Sequence, residues 1–366
     1  MKVTCNRGAL LDALMICATA ITPRTPKPVL QCVRLAAAEN ELVIGATDLE
    51  VAIRYNDVQV EVGEPGVALV PGEKLRDIVR ESIDETLTIE SAAEMVRIKG
   101  ADSEFEIYTQ DPAGFPEIPE FEGEAQVTVQ GGQLRQLVHQ TNFAVSRENT
   151  RYAFNGALMV VKNKRITLAA TDGRRLAEAR GELVAGPKGE LRRVIIPSRT
   201  LGLMAQVVED PADAVDIQLK ENQILVRTQR ATLTSNLLEG QFPPYEDVIP
   251  KDTDKRMTAP TADFLNKVRL ASLLRNEETK GVRMAFSKGG LVISSQAPGA
   301  GKSTVEFPCR YEGGDIEIAF NPLFLIDALK VVDSDEVVLE MVAPNRPGLL
   351  RGGPNFQYVI MPVNLQ

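Results

Sequence analysis

The sequence predicts an α+β protein in which one unit of helices and antiparallel strands is repeated three times. Apolar helical stripes, strand pairs and turn residues all recur at a spacing of about 125 residues along the 366-residue chain. A chain of this length exceeds what one hydrophobic core usually organises. We place the domain boundaries at 1–120, 121–250 and 251–366, because Pro- and acid-rich segments typical of domain crossings follow Phe115 and Phe242.

Each unit opens with an amphipathic helix, marked by apolar residues at helical spacing. These residues are Leu10, Leu11, Leu14, Ala18 and Ile21 in the first unit, Leu134, Leu137, Val138, Thr141 and Val145 in the second, and Phe264, Val268, Ala271 and Leu274 in the third. A second helix in each unit is entered through Pro71, Pro197 or Asn321. The pattern therefore predicts six helices.

Two strands joined by a tight polar turn follow the first helix of each unit. Asn40, Asn163 and Gly289 lie at matching turns, and these residue types tolerate the positive φ that hairpin turns need. The first copy then continues, through ATDLEVAIR, as a plain alternating strand. The second copy has Gly173 and two arginines at that place, which predicts a bulge or a close backbone approach; a charged hairpin edge is the alternative.

The repeated order favours copies that stack edge to edge, because paired edges are protected from uncontrolled association. A head-to-tail series of equal units either closes into a ring or grows into a filament. We expect closure.

The composition argues against membrane, disulfide and histidine chemistry. No apolar stretch approaches the roughly 20 residues that span a bilayer, and Asp12 interrupts the N-terminal apolar run, so we expect a cytoplasmic protein without a membrane partner. The cysteines show no metal-ligand spacing and are predicted to be reduced and buried; they are Cys5, Cys17, Cys32 and Cys309. The single histidine, His139, is predicted to lie on a helix surface.

One segment, SQAPGAGKST, resembles a phosphate-binding loop. Gln296 stands where the pattern needs glycine, and the strand-like TVEFP follows Lys302-Ser303 where a phosphate-binding loop must open a helix. A hairpin is the better interpretation, and a phosphate-transferring enzyme is the alternative. No other nucleophile, dinucleotide or metal motif is apparent, so we expect no catalysis, no metal and no cofactor.

Five segments together resemble the bacterial sliding clamps, the β subunits of DNA polymerase III; they are RYAFNG, ATDGRRLA, EGQFPPYEDVIP, FNPLFLIDAL and YVIMPVNL. The resemblance runs in order over the whole chain. It implies the DNA-clamp fold, with two helices packed on antiparallel sheets in each of three domains. It also implies a head-to-tail homodimeric ring that encircles double-stranded DNA without reading its sequence and confers processivity on the replicative polymerase. A repeat scaffold that binds proteins but no DNA is the alternative.

The resemblance further implies a cleft for short peptides of the polymerase III α subunit, the clamp loader and other partners. The positions that match this cleft are Phe154, Thr171, Gly173, Arg174, Arg175, Leu176, Pro243, Val248, Asn321, Phe324, Val359, Ile360, Met361, Pro362 and Val363. We expect an apolar groove that accepts Leu or Phe anchors. Arg174 replaces the histidine of the best-known members, Asp247 replaces a common basic residue and Thr279 replaces an aromatic one.

Two further surfaces follow from the same resemblance. Phe105 and Ile107 are expected to meet Leu273 and Leu274 of the partner subunit, and packing inside the core is the alternative. The cations expected to face DNA are Arg24, Lys74, Arg76, Arg80, Arg135, Arg147, Arg199, Lys267 and Arg269. Acidic residues on the same helices leave only a modest positive excess, which is consistent with loose phosphate contacts.

Overall fold

The computed structural model describes residues 1–56, 58–92, 94–148, 152–274 and 281–364. The six predicted helices are confirmed within these residues, with the bounds α1 (Arg7–Cys17), α2 (Gly72–Glu81), α3 (Gly131–Thr141), α4 (Ser198–Gln206), α5 (Thr261–Ala271) and α6 (Pro322–Leu329). Their predicted apolar faces are buried at Leu10, Leu134 and Phe264. Leu11 and Leu274, at the edges of two predicted stripes, are only half-buried.

Helix starts are set by residues that satisfy or remove free amide groups. The Asn6 side chain accepts a hydrogen bond from the Ala9 N–H at 3.0 Å, and the Asn321 side chain accepts one from the Leu323 N–H at 3.0 Å. Pro322 occupies the first turn of α6, where an N–H would have no partner within the helix. The chain therefore enters α1 and α6 with their first turns already stabilised.

Two compact units divide the chain, and the first comprises residues 1–135, 183–187 and 199–237. Its strands are β1 (Lys2–Asn6), β2 (Cys32–Ala38), β3 (Glu41–Thr47), β4 (Val51–Tyr55), β5 (Val60–Glu64), β6 (Gly66–Pro71), β7 (Thr86–Ala92), β8 (Met95–Lys99), β9 (Glu104–Tyr108), β10 (Val127–Gln130), β15 (Ala214–Leu219), β16 (Gln223–Arg227) and β17 (Ala231–Asn236). They form a five-stranded sheet in the order β5-β1-β7-β8-β9 and an eight-stranded sheet in the order β10-β15-β16-β17-β4-β3-β2-β6.

The second unit comprises residues 136–182, 188–198 and 238–366. Its strands are β11 (Gly156–Lys162), β12 (Arg165–Thr171), β13 (Arg175–Glu182), β14 (Val194–Pro197), β18 (Lys255–Pro260), β19 (Val282–Ser287), β20 (Gly290–Ala297), β21 (Gly301–Phe307), β22 (Arg310–Glu312), β23 (Ile316–Phe320), β24 (Glu336–Met341), β25 (Gly348–Arg351) and β26 (Phe356–Ile360). They form a nine-stranded sheet in the order β14-β11-β12-β13-β26-β25-β24-β18-β22 and a four-stranded sheet in the order β21-β20-β19-β23.

The two large sheets are built by the same rule. In the first unit, β4 pairs antiparallel with β17, and Val51 lies opposite Ser235. In the second unit, β13 pairs antiparallel with β26, and Arg175 lies opposite Ile360. In both cases the fourth strand of one repeat joins the last strand of the next repeat, so each large sheet contains strands of two repeats.

The three predicted hairpins are present, but two of the predicted positive-φ positions are wrong by one residue. Positive φ falls on Glu39 (51°), Asn163 (55°) and Gly290 (121°), rather than on Asn40 and Gly289. In the third copy, an added Cβ at Gly290 would lie 2.7 Å from the Phe307 carbonyl oxygen, so glycine is required there.

The predicted contrast between ATDLEVAIR and ATDGRRLA is wrong, because both copies form the same turn. Leu49 has a φ of 79° and Gly173 a φ of 84°. In the first copy the Asp48 carboxylate accepts hydrogen bonds from two backbone N–H groups at 3.0 and 2.7 Å. The Asp172 carboxylate does the same in the second copy, at 2.9 and 3.0 Å. The Thr-Asp pair thus dictates the turn, whatever the identity of the next residue.

The segment that resembles a phosphate-binding loop is a hairpin, as interpreted from the sequence. Strands β20 and β21 pair from Leu291 opposite Phe307 to Ala297 opposite Gly301. Lys302 and Ser303 therefore lie in a strand and not at a helix start, so the segment lacks the helix N-terminus that would receive a phosphate.

The environment predicted for the histidine is observed, and the burial predicted for the cysteines is observed at all of them except Cys309. Cys5, Cys17 and Cys32 are buried, Cys309 is half-buried, and all four are free thiols. Burial raises the pKa of the Cys32 thiol to about 11, so it is protonated and unreactive at neutral pH. His139 is exposed on α3.

The shared turn gives a prediction on stability. Gly173→Ala should lower the free energy of unfolding by about 1 kcal/mol, because a Cβ in the left-handed region is strained. An added Cβ there meets no atom within 4 Å, so no clash contributes. Leu49→Ala is the matched control: it keeps the Cβ at the same φ and should change stability less. Urea unfolding followed by circular dichroism measures both, and an unaltered midpoint for Gly173→Ala would contradict the assignment.

Candidate peptide-binding groove and associated surfaces

The last strand of the described chain lies beside the Thr171–Arg175 turn. Strand β26 pairs with β13, and Leu176 lies opposite Val359. The pairing continues beyond β26, because the Met361 N–H donates a hydrogen bond to the Arg174 carbonyl oxygen at 2.9 Å. Two sequence-distant segments of the predicted cleft are thereby brought together.

An apolar cluster forms the floor beside this junction. Its buried members are Leu158, Ala169, Leu176, Ile195, Tyr245, Leu349 and Val359, and Ala153, Val160, Leu238, Phe242 and Ile249 pack against it. Of these, the sequence predicted only Leu176 and Val359. The aromatic residues that it missed, Phe242 and Tyr245, belong to the QFPPY segment, from which the sequence assigned only Pro243 to the cleft.

Phe154 joins the same cluster through aromatic contacts. Its ring is 6.5 Å from that of Phe242 in an edge-to-face arrangement, and Phe242 is 6.1 Å from Tyr245 in a similar one. Burial, followed by the nearby Glu178 carboxylate, raises the pKa of Tyr245 well above its usual value, so this phenol remains neutral. The floor is therefore uncharged as well as apolar.

Val248 and Met361 share an open cavity of about 600 Å³. The other lining residues are Asp247, Ile249, Pro250, Lys251, Asp252, Val342, Asn345, Arg346 and Pro347. Both apolar side chains are accessible, and Met361 is 41% exposed. The lining is mixed, with apolar and charged side chains, and the flexible thioether of Met361 suits adaptable contacts with a partner side chain. Asp247, the acidic departure noted in the sequence, lies in this cavity, whereas Thr279 lies outside the described residues.

The start of α6 supplies another side of the groove. Asn321 is buried as the cap of this helix, and Phe324 lies half-buried in its first turn. The tail reaches the same region, because the Val363 N–H donates to the Ala319 carbonyl oxygen at 2.8 Å. Val363 also lines a smaller cavity of about 280 Å³.

Several predicted cleft residues support the groove rather than face it. Ile360 is fully buried, and Thr171 is buried with its hydroxyl donating to the Arg175 carbonyl oxygen at 2.6 Å. Gly173 provides the left-handed turn. By contrast, the Arg174 side chain is exposed, and Pro243 and Pro362 are half-buried.

Arg175 is also directed inward, and its side chain is only 11% exposed. Its guanidinium donates to Asp172 at 3.0 Å, to Asp327 at 2.8 Å and to the Phe143 carbonyl oxygen at 2.9 Å. The same group lies 4.4 Å from the centre of the Phe324 ring. It therefore joins the turn, α6 and the segment after α3.

The residues predicted at a subunit interface are accessible. Phe105 and Ile107 lie on β9, an edge strand of the five-stranded sheet, where Phe105 is 42% exposed and Ile107 is half-buried. Leu273 and Leu274 follow α5; Leu273 is 74% exposed and Leu274 half-buried. The alternative, packing of Phe105 and Ile107 inside the core, is therefore wrong for Phe105, whereas Ile107 is partly covered within the chain.

The cations predicted to face DNA fall into two groups. Arg76 and Arg80 are engaged by Asp77 at 3.0 and 3.4 Å, and Arg199 is engaged by Asp48. The hydrogen bond from Arg76 is the largest influence that lowers the pKa of Asp77, so this carboxylate stays ionised. Within the described ranges, the remaining six have no ion-pair partner; they are Arg24, Lys74, Arg135, Arg147, Lys267 and Arg269.

Neither a metal-ligand cluster nor a membrane-spanning helix lies in the described part of the chain. No cluster of three or more His, Cys, Asp or Glu side chains could hold a metal ion there. No helix among those residues is long and apolar enough to cross a membrane.

Comparisons with known proteins give one consistent result. Models of the N-terminal, central and C-terminal domains of the DNA polymerase III beta subunit match residues 1–119, 128–244 and 246–364. The beta sliding clamp of Pseudomonas putida is 32% identical over the whole of both chains. A sliding clamp of Pseudomonas aeruginosa bound to griselimycin has 30% identity and a TM-score of 0.95, and that of Bacillus subtilis has 26% identity and a TM-score of 0.95; each covers 100% of both chains.

Proposed function

The chain belongs to the bacterial sliding clamp family, the β subunits of DNA polymerase III, and we propose that its strand edges, helix cations and peptide groove perform that family's work. Two subunits form a ring that encircles double-stranded DNA and tethers the replicative polymerase, which gains processivity. We assign the three clamp domains to residues 1–120, 121–250 and 251–366, and we propose that the protein works in the cytoplasm. The subunit catalyses nothing itself, and an ATP-driven clamp loader opens the ring.

The repeated strand pairing carries this proposal most directly. Pairing of β4 with β17 joins the first two repeats, and pairing of β13 with β26 joins the second to the third. By the same rule β21, the fourth strand of the last repeat, should pair with β9 of another copy. Both strands are edges of their sheets in the described residues, so each has free backbone groups available.

Closure by this head-to-tail pairing gives a two-fold symmetric assembly of two chains. Each copy contributes β9 to one contact and β21 to the other, so two identical contacts complete the ring. Phe105 and Ile107 of β9 would then lie near Leu273 and Leu274 of the partner subunit, where exposed apolar side chains become buried. This account explains why edge strands and apolar groups coincide at both ends of the repeat series.

Weak, non-specific DNA contact follows from the charges on the helices and loops. The six cations without ion pairs can each approach a phosphate, whereas Arg76, Arg80 and Arg199 are engaged by carboxylates. Phosphate contacts carry no sequence information, and they are exchanged readily as the ring moves. Retention on DNA therefore comes from closure of the ring, and sliding comes from the weakness of each contact.

The groove at the β13–β26 junction is the proposed docking site for the polymerase and other partners. It offers an apolar floor, accessible Val248 and Met361, and the exposed Arg174 at its edge. Such a surface suits a short linear peptide with Leu or Phe anchors and a few polar contacts. Griselimycin, bound by the Pseudomonas aeruginosa relative, is a candidate competitor for the same groove.

Truncation of Met361 tests the groove. Met361→Ala should weaken binding of a fluorescein-labelled peptide with a Leu-Phe pair by about tenfold or more, because an anchor contact is lost. Val292→Ala removes a similarly accessible side chain from strand β20 of the four-stranded sheet and should leave affinity unchanged. Fluorescence anisotropy measures both variants. Equal affinity for Met361→Ala and the unmodified protein would remove Met361 from the site.

Assembly is tested by the pair of leucines after α5. Leu273→Ala combined with Leu274→Ala should convert a dimer of twice 40.0 kDa into monomers, because the exposed apolar contact is deleted. Val184→Ala removes another exposed apolar side chain and should leave the dimer intact. Sedimentation velocity distinguishes these states, and a persistent dimer in the double variant contradicts the assigned interface.

The division of the cations is tested by salt dependence. Replacing Arg135 and Lys267 by alanine should reduce the slope of log affinity against log salt by about two, since each lost phosphate contact contributes about 0.9. The matched control, Arg76→Ala with Arg80→Ala, removes cations already engaged by Asp77 and should reduce it less. Anisotropy titrations of a labelled duplex over a salt series measure the slopes, and equal reductions would contradict the division.

A further inference from the structure

Two arginines at unrelated sequence positions make equivalent contacts in the two units. In the second unit, Arg175 donates to the Asp172 carboxylate and to the Phe143 carbonyl oxygen. We call this group, together with Asp327 and Phe324, the Arg175 cluster. In the first unit, Arg199 donates to the Asp48 carboxylate and to the Thr19 carbonyl oxygen at 2.6 Å. We call this group the Arg199 cluster.

The acceptors correspond between the repeats, but the arginines do not. Asp48 and Asp172 occupy the same place in the shared Thr-Asp turn, and Thr19 and Phe143 follow the first helix of their repeats at matching positions. Arg199 comes from the start of helix α4, whereas Arg175 comes from the turn itself. Equivalent polar contacts are thus made by arginines from different elements, the start of α4 in the first unit and the turn in the second.

Because the arginine comes from a different element in each unit, the first turns of α4 and α6 carry different side chains. The α6 position that matches Arg199 is Leu323, which is accessible and precedes Phe324. Helix α6 therefore begins with the apolar Leu323 beside the groove, whereas α4 begins with the charged Arg199. In the first unit the arginine itself fastens the helix, so the second unit needs a different link between Arg175 and α6.

Asp327 provides that link. Its carboxylate accepts from the Arg175 guanidinium at 2.8 Å, while the matching position of α4 holds the buried Leu203. The guanidinium held in this way lies 4.4 Å from the Phe324 ring. The Tyr358 hydroxyl, which burial keeps protonated by raising its pKa, donates to the Phe324 carbonyl oxygen at 3.0 Å. The backbone and ring of Phe324 are therefore held by separate contacts.

We propose that Asp327 is a positioning residue for the peptide groove: it holds Arg175 in place, and Arg175 in turn fixes the Phe324 ring as a preformed wall. This inference rests on the proposed peptide-binding function. A preformed wall improves affinity because the bound peptide does not have to order the ring. In this proposal Asp327 acts through Arg175 and not through a contact of its own with the peptide.

The first test replaces the carboxylate with its neutral isostere. Asp327→Asn should weaken binding of the labelled Leu-Phe peptide by about tenfold, the effect of losing a charge-assisted hydrogen bond. Asp327→Glu, which keeps the charge, should retain most of the affinity. Asp48→Asn breaks the Arg199 cluster by the same chemical change and should leave peptide affinity unaltered. Anisotropy titrations give these affinities.

A double-mutant cycle separates positioning from general destabilisation. By itself, Phe324→Leu should weaken peptide binding. Adding Asp327→Asn to it should cause little further loss of affinity, because the ring that Asp327 positions is already absent. Fully additive losses, an unaltered Asp327→Asn affinity, or an equal loss in Asp48→Asn would each overturn the positioning role. Failure of the unmodified protein to bind the peptide would instead contradict the proposed function of the groove.

Discussion

Antiparallel pairing between the last strand of one repeat and the fourth strand of the repeat before it underlies the rest of this structure. It makes β4–β17 in the first compact unit and β13–β26 in the second. Each pairing covers two strand edges that would otherwise be open to uncontrolled association. It also explains why the compact units do not coincide with the sequence repeats, since each large sheet contains strands from two of them.

The groove is a consequence of the second pairing. Strand β26 brings Val359 to the cluster around Leu176, and the chain beyond it places Met361 beside the Arg174 carbonyl. An apolar floor with an uncharged phenol below it favours side chains such as Leu and Phe. In contrast, the helix and loop cations leave contact with DNA weak. The proposed peptide docking and the proposed weak phosphate contact are compatible because different residues are assigned to each.

Much of the fold could be predicted from local sequence signals. Helical stripes, hairpin turn residues and the 125-residue recurrence depend on nearby residues, and the structure contains the corresponding helices and hairpins. The left-handed Leu49 was missed because leucine rarely adopts that conformation; the Asp48 side chain, by bonding two N–H groups, imposes it. Family resemblance located the cleft residues, but their individual roles depend on tertiary contacts.

Arg175, Arg199 and Ile360 illustrate that limit. Resemblance placed Arg175 and Ile360 in the cleft and Arg199 among the cations facing DNA, yet sequence does not reveal which side a side chain faces. The structure buries Ile360 and gives both arginines carboxylate partners. Tyr245 and Phe242 were missed for the same reason, because a Pro-rich segment gives no signal that its aromatic side chains pack under a distant strand.

Topological attachment is tested most directly by comparing circular with linear DNA. The protein is loaded with a bacterial clamp loader onto a nicked circular plasmid, unloaded protein is removed by gel filtration, and the plasmid is then cut once with a restriction enzyme. The closed ring predicted here stays with the circle and is released after linearisation, because sliding off an end requires no opening of the ring. Equal retention on cut and uncut DNA would contradict encirclement and indicate binding through surface contacts alone.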